Sequence, residues 1–313
     1  MSTQTEPLEL WAMLATPFDE DSGRVDHDSL ARYARAMADR GCHGLVALGI
    51  IAEPQTLSIP EQQRVLATVT ASTDVPVYAS ALALDEDTRR RVVPELVSCT
   101  DRAPAGLMVP VDTPDPVELR RRVIDVHRRA GDLPIVVQDY PAWSGVAIGV
   151  DALADALDGL DFVAAVKCEA PPTFARIRRL RQRMPSARCI SGLGGLSLVD
   201  DLEQGATVAA CGVTRPEVVG AALDHYAAGR PDLARRMINV IASSIGFEVQ
   251  QGTSIAVRKE GLRRQGLFAH AAVRAPTRPY DVWLDPLLQA HERLVASELA
   301  LVALPTSVGA SVL

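Results

Sequence analysis

Short apolar runs alternate with longer amphipathic stretches along most of this chain, and that rhythm constrains the fold more than any single residue does. A short apolar run bounded by turn residues suits a strand buried on both faces, and an amphipathic stretch suits a helix laid over it. The runs at 10–15, 44–48, 75–80, 106–109, 134–138, 162–167, 188–191 and 207–211 predict eight strands. Repeated strand–helix units imply a parallel sheet.

Several helix starts can be read directly. Ser58-Ile59-Pro60-Glu61 and Thr214-Arg215-Pro216-Glu217 fit the capping box, in which a hydroxyl and a carboxylate satisfy orphan backbone N–H groups. Asp115-Pro116 supplies an acidic N-cap followed by proline at the first helical position. In the first helix Leu30, Tyr33, Ala34, Met37 and Ala38 fall at helical spacing, and Gly41 suits a left-handed cap.

Eight strands each followed by a helix predict an α/β fold, a (β/α)8 TIM barrel over 10–229, preceded by an N-terminal extension at 1–9. A doubly wound open sheet satisfies the same pattern, since eight parallel strands need not close. Beyond Gly229 the pattern is wholly helical, at 231–246, 253–264 and 286–301, which predicts a C-terminal helical extension over 230–302. Such an extension packs on the barrel or builds a subunit interface. The small residues of 303–313 predict a frayed tail.

Composition excludes some functions. The formal charge of −7 comes from acidic and basic residues interspersed along the length, with no basic block of the kind that binds nucleic acid. The five cysteines are odd in number and scattered, so neither a disulfide framework nor a cysteine-rich zinc site is expected. No spacing of the six histidines, His43 and His127 among them, matches a metal motif. Met1 to Glu9 lacks the features of a signal peptide, and no apolar run is long enough to cross a bilayer. A soluble cytoplasmic protein is the expectation.

Among 32 basic residues only Lys167 and Lys259 are lysines. An ammonium can lose its proton and attack a carbonyl, whereas a guanidinium is effectively always charged. Lys167 ends the apolar run Phe162-Val163-Ala164-Ala165-Val166, at the strand terminus where barrels place their reacting groups. Apolar surroundings disfavour its charged form and raise the free-amine share, which suits a Schiff-base nucleophile. The competing reading is a structural ion pair with Glu169, two residues on and on the same face while the strand continues. Lys259, in Val257-Arg258-Lys259-Glu260, reads as part of a solvated or interfacial helix face.

The ordered motifs resemble a known family. Thr16-Pro17-Phe18 follows the first strand, and Gly49-Ile50-Ile51-Ala52-Glu53 with Leu57-Ser58 and Glu61 follows the second. Pro141 and Gly145 come after the fifth, Val166-Lys167 lies on the sixth and Ser191-Gly192 on the seventh. Across residues 10–268 this resembles the class I, Schiff-base-forming pyruvate aldolases and lyases that include N-acetylneuraminate lyase and dihydrodipicolinate synthase. The resemblance implies that Lys167 forms the Schiff base, that no cofactor is needed, and that the chain assembles as a dimer or tetramer. It also implies a structural role for Glu53.

The departures are informative. The family's Gly-Thr-Thr-Gly-Glu carries threonines that bind a 2-oxo acid carboxylate and relay protons; here Ile50 and Ile51 stand in their place, leaving backbone N–H groups to cradle an anion. The usual Pro-Tyr-Tyr becomes Pro110-Val111-Asp112, which removes a tyrosine contributed across a dimer interface. Gln138 occupies the catalytic tyrosine position and has no useful acid–base pKa. Tyr140, two residues later, is a candidate to replace it, or else a tyrosine capping the barrel mouth. Glu169 is a candidate proton shuttle or an ion-pair partner tuning the lysine.

The arginine that recognises a second carboxylate in dihydrodipicolinate synthase falls at Trp143, whose planar side chain cannot pair with a carboxylate. The lysine-biosynthesis reaction is therefore not expected, and an aromatic or less charged second substrate is. Cys168 alternates away from the Lys167 face and reads as packing. Ser191-Gly192-Leu193-Gly194-Gly195 is an incomplete phosphate-loop pattern; Gly192 is expected to let substrate approach the backbone.

The expectation is a lyase acting on a 2-oxo acid through Lys167, with Tyr140 and Glu169 moving protons. Ile50, Ile51, Gln138, Trp143 and Gly192 are expected to line the substrate. Two alternatives remain: a 2-keto-3-deoxy sugar acid dehydratase or hydratase-aldolase using the same lysine, and a barrel that binds a small molecule without catalysis.

Overall fold

The computed structural model describes residues 7–100 and 102–302, so the tail expected to fray lies outside the described residues. Eight parallel strands, β1 (Glu9–Met13), β2 (Gly44–Ala47), β3 (Val77–Ser80), β4 (Gly106–Pro110), β5 (Ile135–Asp139), β6 (Val163–Cys168), β7 (Arg188–Ser191) and β8 (Ala206–Cys211), pair in sequence order. β8 returns to β1, with Ala210 opposite Trp11, and the barrel closes. Closure excludes the open doubly wound sheet.

Helices α1 (His27–Asp39), α2 (Ile59–Ser72), α3 (Glu86–Val97), α4 (Pro116–Arg129), α5 (Pro141–Ser144), α6 (Val150–Leu157), α7 (Thr173–Arg183), α8 (Leu198–Glu203) and α9 (Glu217–Ala227) fill the connections. Three more follow: α10 (Pro231–Glu248), α11 (Ser254–Arg264) and α12 (Asp285–Val302). None among the described residues is long and apolar enough to span a membrane.

Local chemistry explains most of these starts. The Asp115 carboxylate accepts from the N–H groups of Val117 (2.9 Å) and Glu118 (3.3 Å), capping α4. Glu61 reaches back to the Ser58 N–H at 2.9 Å at the start of α2. The box expected at Thr214 does not form. Thr214 donates its hydroxyl (2.6 Å) and its N–H (3.1 Å) to Glu248 instead, and α9 starts at Glu217 with Pro216 at its N-cap and no side-chain cap. A carboxylate from α10, far along the chain, outcompetes the local Glu217.

Two apolar shells hold the molecule. The outer one lies between the strands and the helices, where α1 contributes Leu30, Tyr33, Ala34 and Met37. The inner one fills the barrel with Trp11, Met13, Val46, Met108, Val136, Ala165, Ile190, Val208 and Ala210. Trp11 stacks on Tyr78 with ring centroids 4.1 Å apart and floors this interior.

A register shift between β5 and β6 leaves Ala164 outside the pairing and exposed. Ala165 then faces the barrel interior while Val166 and Cys168 face the helices. Strand alternation carries Lys167 onto the Ala165 face, one layer nearer the C-terminal mouth.

Candidate active site

At that mouth a cavity of about 770 Å³ opens above the inner core. Lys167, Glu169, Gln138, Tyr140, Trp143, Ile50 and Ile51 all line it. Thus every candidate site residue from the sequence except Gly192 is brought to one place.

The floor is a hydrogen-bonded row. Lys167 pairs in register with Gln138 across β6 and β5, and the Glu169 N–H continues the ladder to the Asp139 carbonyl at 2.9 Å. This continuation keeps Glu169 on the Lys167 face. Lys167 Nζ lies 3.3 Å from Glu169 Oε2, and Gln138 Nε2 donates to that same oxygen at 2.7 Å. Leu193 N–H donates to Glu169 Oε1 at 3.3 Å. Lys167 is 3 % exposed, and its exposed part faces the cavity. The ion pair and access to a ligand therefore coexist.

Tyr140 leaves the strand geometry, with φ −132° and ψ 78°, yet its side chain still borders the cavity. Burial pushes its phenol upward, and the Glu169 charge adds to that shift. The hydroxyl is therefore protonated at neutral pH and able to donate. Next to it, Asp139 faces away from the cavity and pairs with Arg176; burial pushes its carboxyl up while the arginine opposes this.

Three placements correct the sequence reading. A Cβ on Gly192 would come within 2.7 Å of the Glu169 carboxylate, and Gly192 does not line the cavity. The close approach this glycine permits is made by Glu169 rather than by substrate.

Lys259 is not on a solvated face. It is 0 % exposed, bonded to the Glu53 carboxylate, 2.9 Å from the Ala272 carbonyl, and 4.1 Å from the centre of the Phe18 ring. Glu53 also accepts the Arg274 N–H at 3.1 Å. The segment after α11 wraps over a helix face that would otherwise meet water.

The C-terminal extension, expected only to pack or to form an interface, walls the cavity. Val249, Gln251, Gly252, Ser254, Ile255, Arg258, Pro276, Thr277 and Arg278 all contribute. Of these, Arg258 is buried, and its sequence neighbourhood gave no sign of that.

The remaining residues are structural. Cys168 and Cys189 are free, buried thiols, and the Cys168 thiol is pushed well above its usual range by its neighbour and by burial. Ser191 donates to Asp201 at 2.6 Å, which anchors the β7 turn. Asp112, in the segment lacking the family tyrosine, is turned inward onto Arg89 and, at 2.9 Å, Arg122. No cluster of three metal-ligating side chains occurs among the described residues.

A closed parallel barrel with a buried lysine at its C-terminal mouth is the arrangement that the sequence resemblance implied. Residues 6–85 match the dihydrodipicolinate synthetase family. An uncharacterised DapA-like lyase of Halobacterium salinarum is 27% identical over 289 residues, covering 88% of this chain and 91% of its own. A crystal structure of dihydrodipicolinate synthase from Rhodopseudomonas palustris superposes with a TM-score of 0.80 at 25% identity, covering 92% of this chain and 97% of that one. The fold is shared with a sialic acid aldolase of Ruminococcus gnavus at a TM-score of 0.85 and 15% identity, over 96% and 99% of the two chains. The chain is thus similar to the dihydrodipicolinate synthetase family over residues 6–85 and to a DapA-like lyase over most of its length.

Proposed function

We propose that this protein is a lyase that forms a Schiff base between Lys167 and the ketone of a 2-oxo acid. The observation that carries the reading is a solitary amine at the floor of a cavity, held 3.3 Å from a carboxylate that can take its proton.

In that reading Glu169 accepts a proton from the Lys167 ammonium, and the neutral amine adds to the carbonyl carbon. Glu169 returns that proton to the departing hydroxyl as the carbinolamine loses water, and the protonated imine then takes up the electron pair of the bond between the carbons α and β to it as a β-hydroxyl passes its proton to Glu169. Cleavage of that bond, the reverse condensation, or loss of a hydroxyl from the chain follows from one intermediate. Tyr140 donates to the oxygen that leaves or develops charge. Gln138 holds Glu169 in place and carries no proton. No cofactor enters these steps.

The apolar wall of Ile50, Ile51 and Trp143 supports an aromatic or weakly charged second substrate over a polyhydroxylated one. A hydratase-aldolase acting on such a compound uses the same intermediate. A homo-oligomer, dimer or tetramer, remains part of the proposal. The inward turn of Asp112 supports an interface built without that segment.

The test is borohydride reduction in the presence of pyruvate and a panel of longer and aryl-bearing 2-oxo acids, followed by peptide mass mapping. A reduced adduct on Lys167 is expected. Absence of any adduct across the panel would sink the lyase reading and leave a ligand-binding barrel.

A further inference from the structure

We propose that Arg258 receives the substrate carboxylate, in place of the hydroxyls missing at positions 50 and 51; this rests on the cavity being a 2-oxo acid site. Arg258 projects from α11, is 5 % exposed, and lines the cavity. Its guanidinium is incompletely satisfied. Nη1 bonds to Ser254, but Nε has no hydrogen-bond acceptor among the described residues.

The nearest counter-charge does not complete it. Glu248 Oε2 is 3.9 Å from Arg258 Nε, beyond hydrogen-bonding range, and both Glu248 oxygens are engaged by Thr214. A buried guanidinium stays charged, and an open donor on it is costly unless a ligand fills it.

Position matches chemistry. A Cβ built on Gly212, just past β8, would lie 2.8 Å from Ile51 Cδ1 and 3.7 Å from Arg258 Nε. The open donor therefore sits beside the isoleucine that replaces a carboxylate-binding threonine. Gly212 keeps the space between them clear. With Lys167 balanced by Glu169, Arg258 adds a second positive charge to the lining of the same cavity, so a 2-oxo acid can present its ketone to one group and its carboxylate to the other.

The experiment compares wild type with Arg258→Met, Arg258→Lys and the double variant Arg258→Met with Glu248→Gln, which removes the carboxylate that would be left unpaired. Two readouts are taken: calorimetric binding of pyruvate, and borohydride trapping at Lys167 with pyruvate and with hydroxyacetone, a ketone lacking the carboxylate. Pyruvate affinity is expected to fall about tenfold to hundredfold in both Met-bearing variants. Trapping with hydroxyacetone should be unchanged, and the lysine variant should recover part of the affinity.

Equal pyruvate affinity in wild type and in the double variant would overturn the proposal. So would a matching loss of hydroxyacetone trapping, which would mark Arg258 as merely structural, or no pyruvate binding by the wild type. If pyruvate binds in an Arg258-dependent way but no adduct forms, the Schiff-base reading fails and the carboxylate assignment stands.

Discussion

The two lysines of this chain are both buried and each faces a glutamate, yet one borders a cavity and the other is sealed. Lys167 lies 3.3 Å from Glu169 with its remaining surface toward open space. Lys259 has Glu53 on one side, the Ala272 carbonyl on another and the Phe18 ring against its ammonium. Burial and pairing therefore do not mark a nucleophile. What separates the two is unfilled capacity: Lys259 spends its ammonium tying the strand-two loop to the C-terminal segment, whereas Lys167 keeps a direction from which a carbonyl can approach.

The largest expected effect falls on the open lysine. Lys167→Arg should abolish the borohydride adduct and turnover while circular dichroism and melting stay close to wild type, because charge persists and nucleophilicity does not. A turning-over Lys167→Arg enzyme would refute the mechanism. The sealed lysine should respond the other way. Lys259→Met strands the Glu53 carboxylate, and breaking a buried pair costs about 3–5 kcal/mol in a denaturant titration. Adding Glu53→Gln should restore most of that loss, since removing both charges also removes their desolvation. Equal stability of the single and double variants would show that Glu53 needs no counter-charge.

A smaller effect tests what surrounds the open lysine. Tyr140→Phe should lower kcat by about a hundredfold, the low end for losing a general acid, while the Lys167 adduct still forms. Unchanged turnover would assign proton transfer to Glu169 or to water.

How much of this was legible follows from which interactions are local. Barrel strands are buried on both faces, so each reads as a short apolar run, and the observed strands start and end within two residues of the expected ones. Alternation alone put Lys167 and Glu169 on one face, because the ladder runs on past β6. The misreading of Lys259 arises in α11, where Ala256 through Leu262 are all buried. A helix enclosed on every side breaks the rule that its charged residues face water, so Lys259 read as a solvated or interfacial face and Arg258 drew no notice. Their true surroundings are made by Glu53, Glu248 and the segment after Phe268, contacts that no local pattern encodes. Gly192 teaches the same point, because the sequence marks a close approach without naming what approaches.

The smallest expected effect is on the pH dependence of stability, and it belongs to the sealed lysine. Burial lowers the Lys259 ammonium from the ordinary 10.5 to about 8, with the Glu53 charge opposing the fall. Below about pH 8 folded and unfolded chains both hold this proton, and its burial is a constant cost. Between about pH 8 and 10.5 the unfolded chain holds a proton that the folded chain has released, so this group's contribution to stability rises with pH and then levels off. Other groups titrate in that window, so the measurement is a difference: denaturation midpoints of wild type minus those of Glu53→Gln with Lys259→Met, taken in steps from pH 7 to about pH 10. The difference should climb through the window in favour of the wild type. A flat difference would mean that Lys259 keeps its proton throughout. The seal around it would then be tight enough for Glu53 to outweigh burial, which sharpens rather than removes the contrast with Lys167.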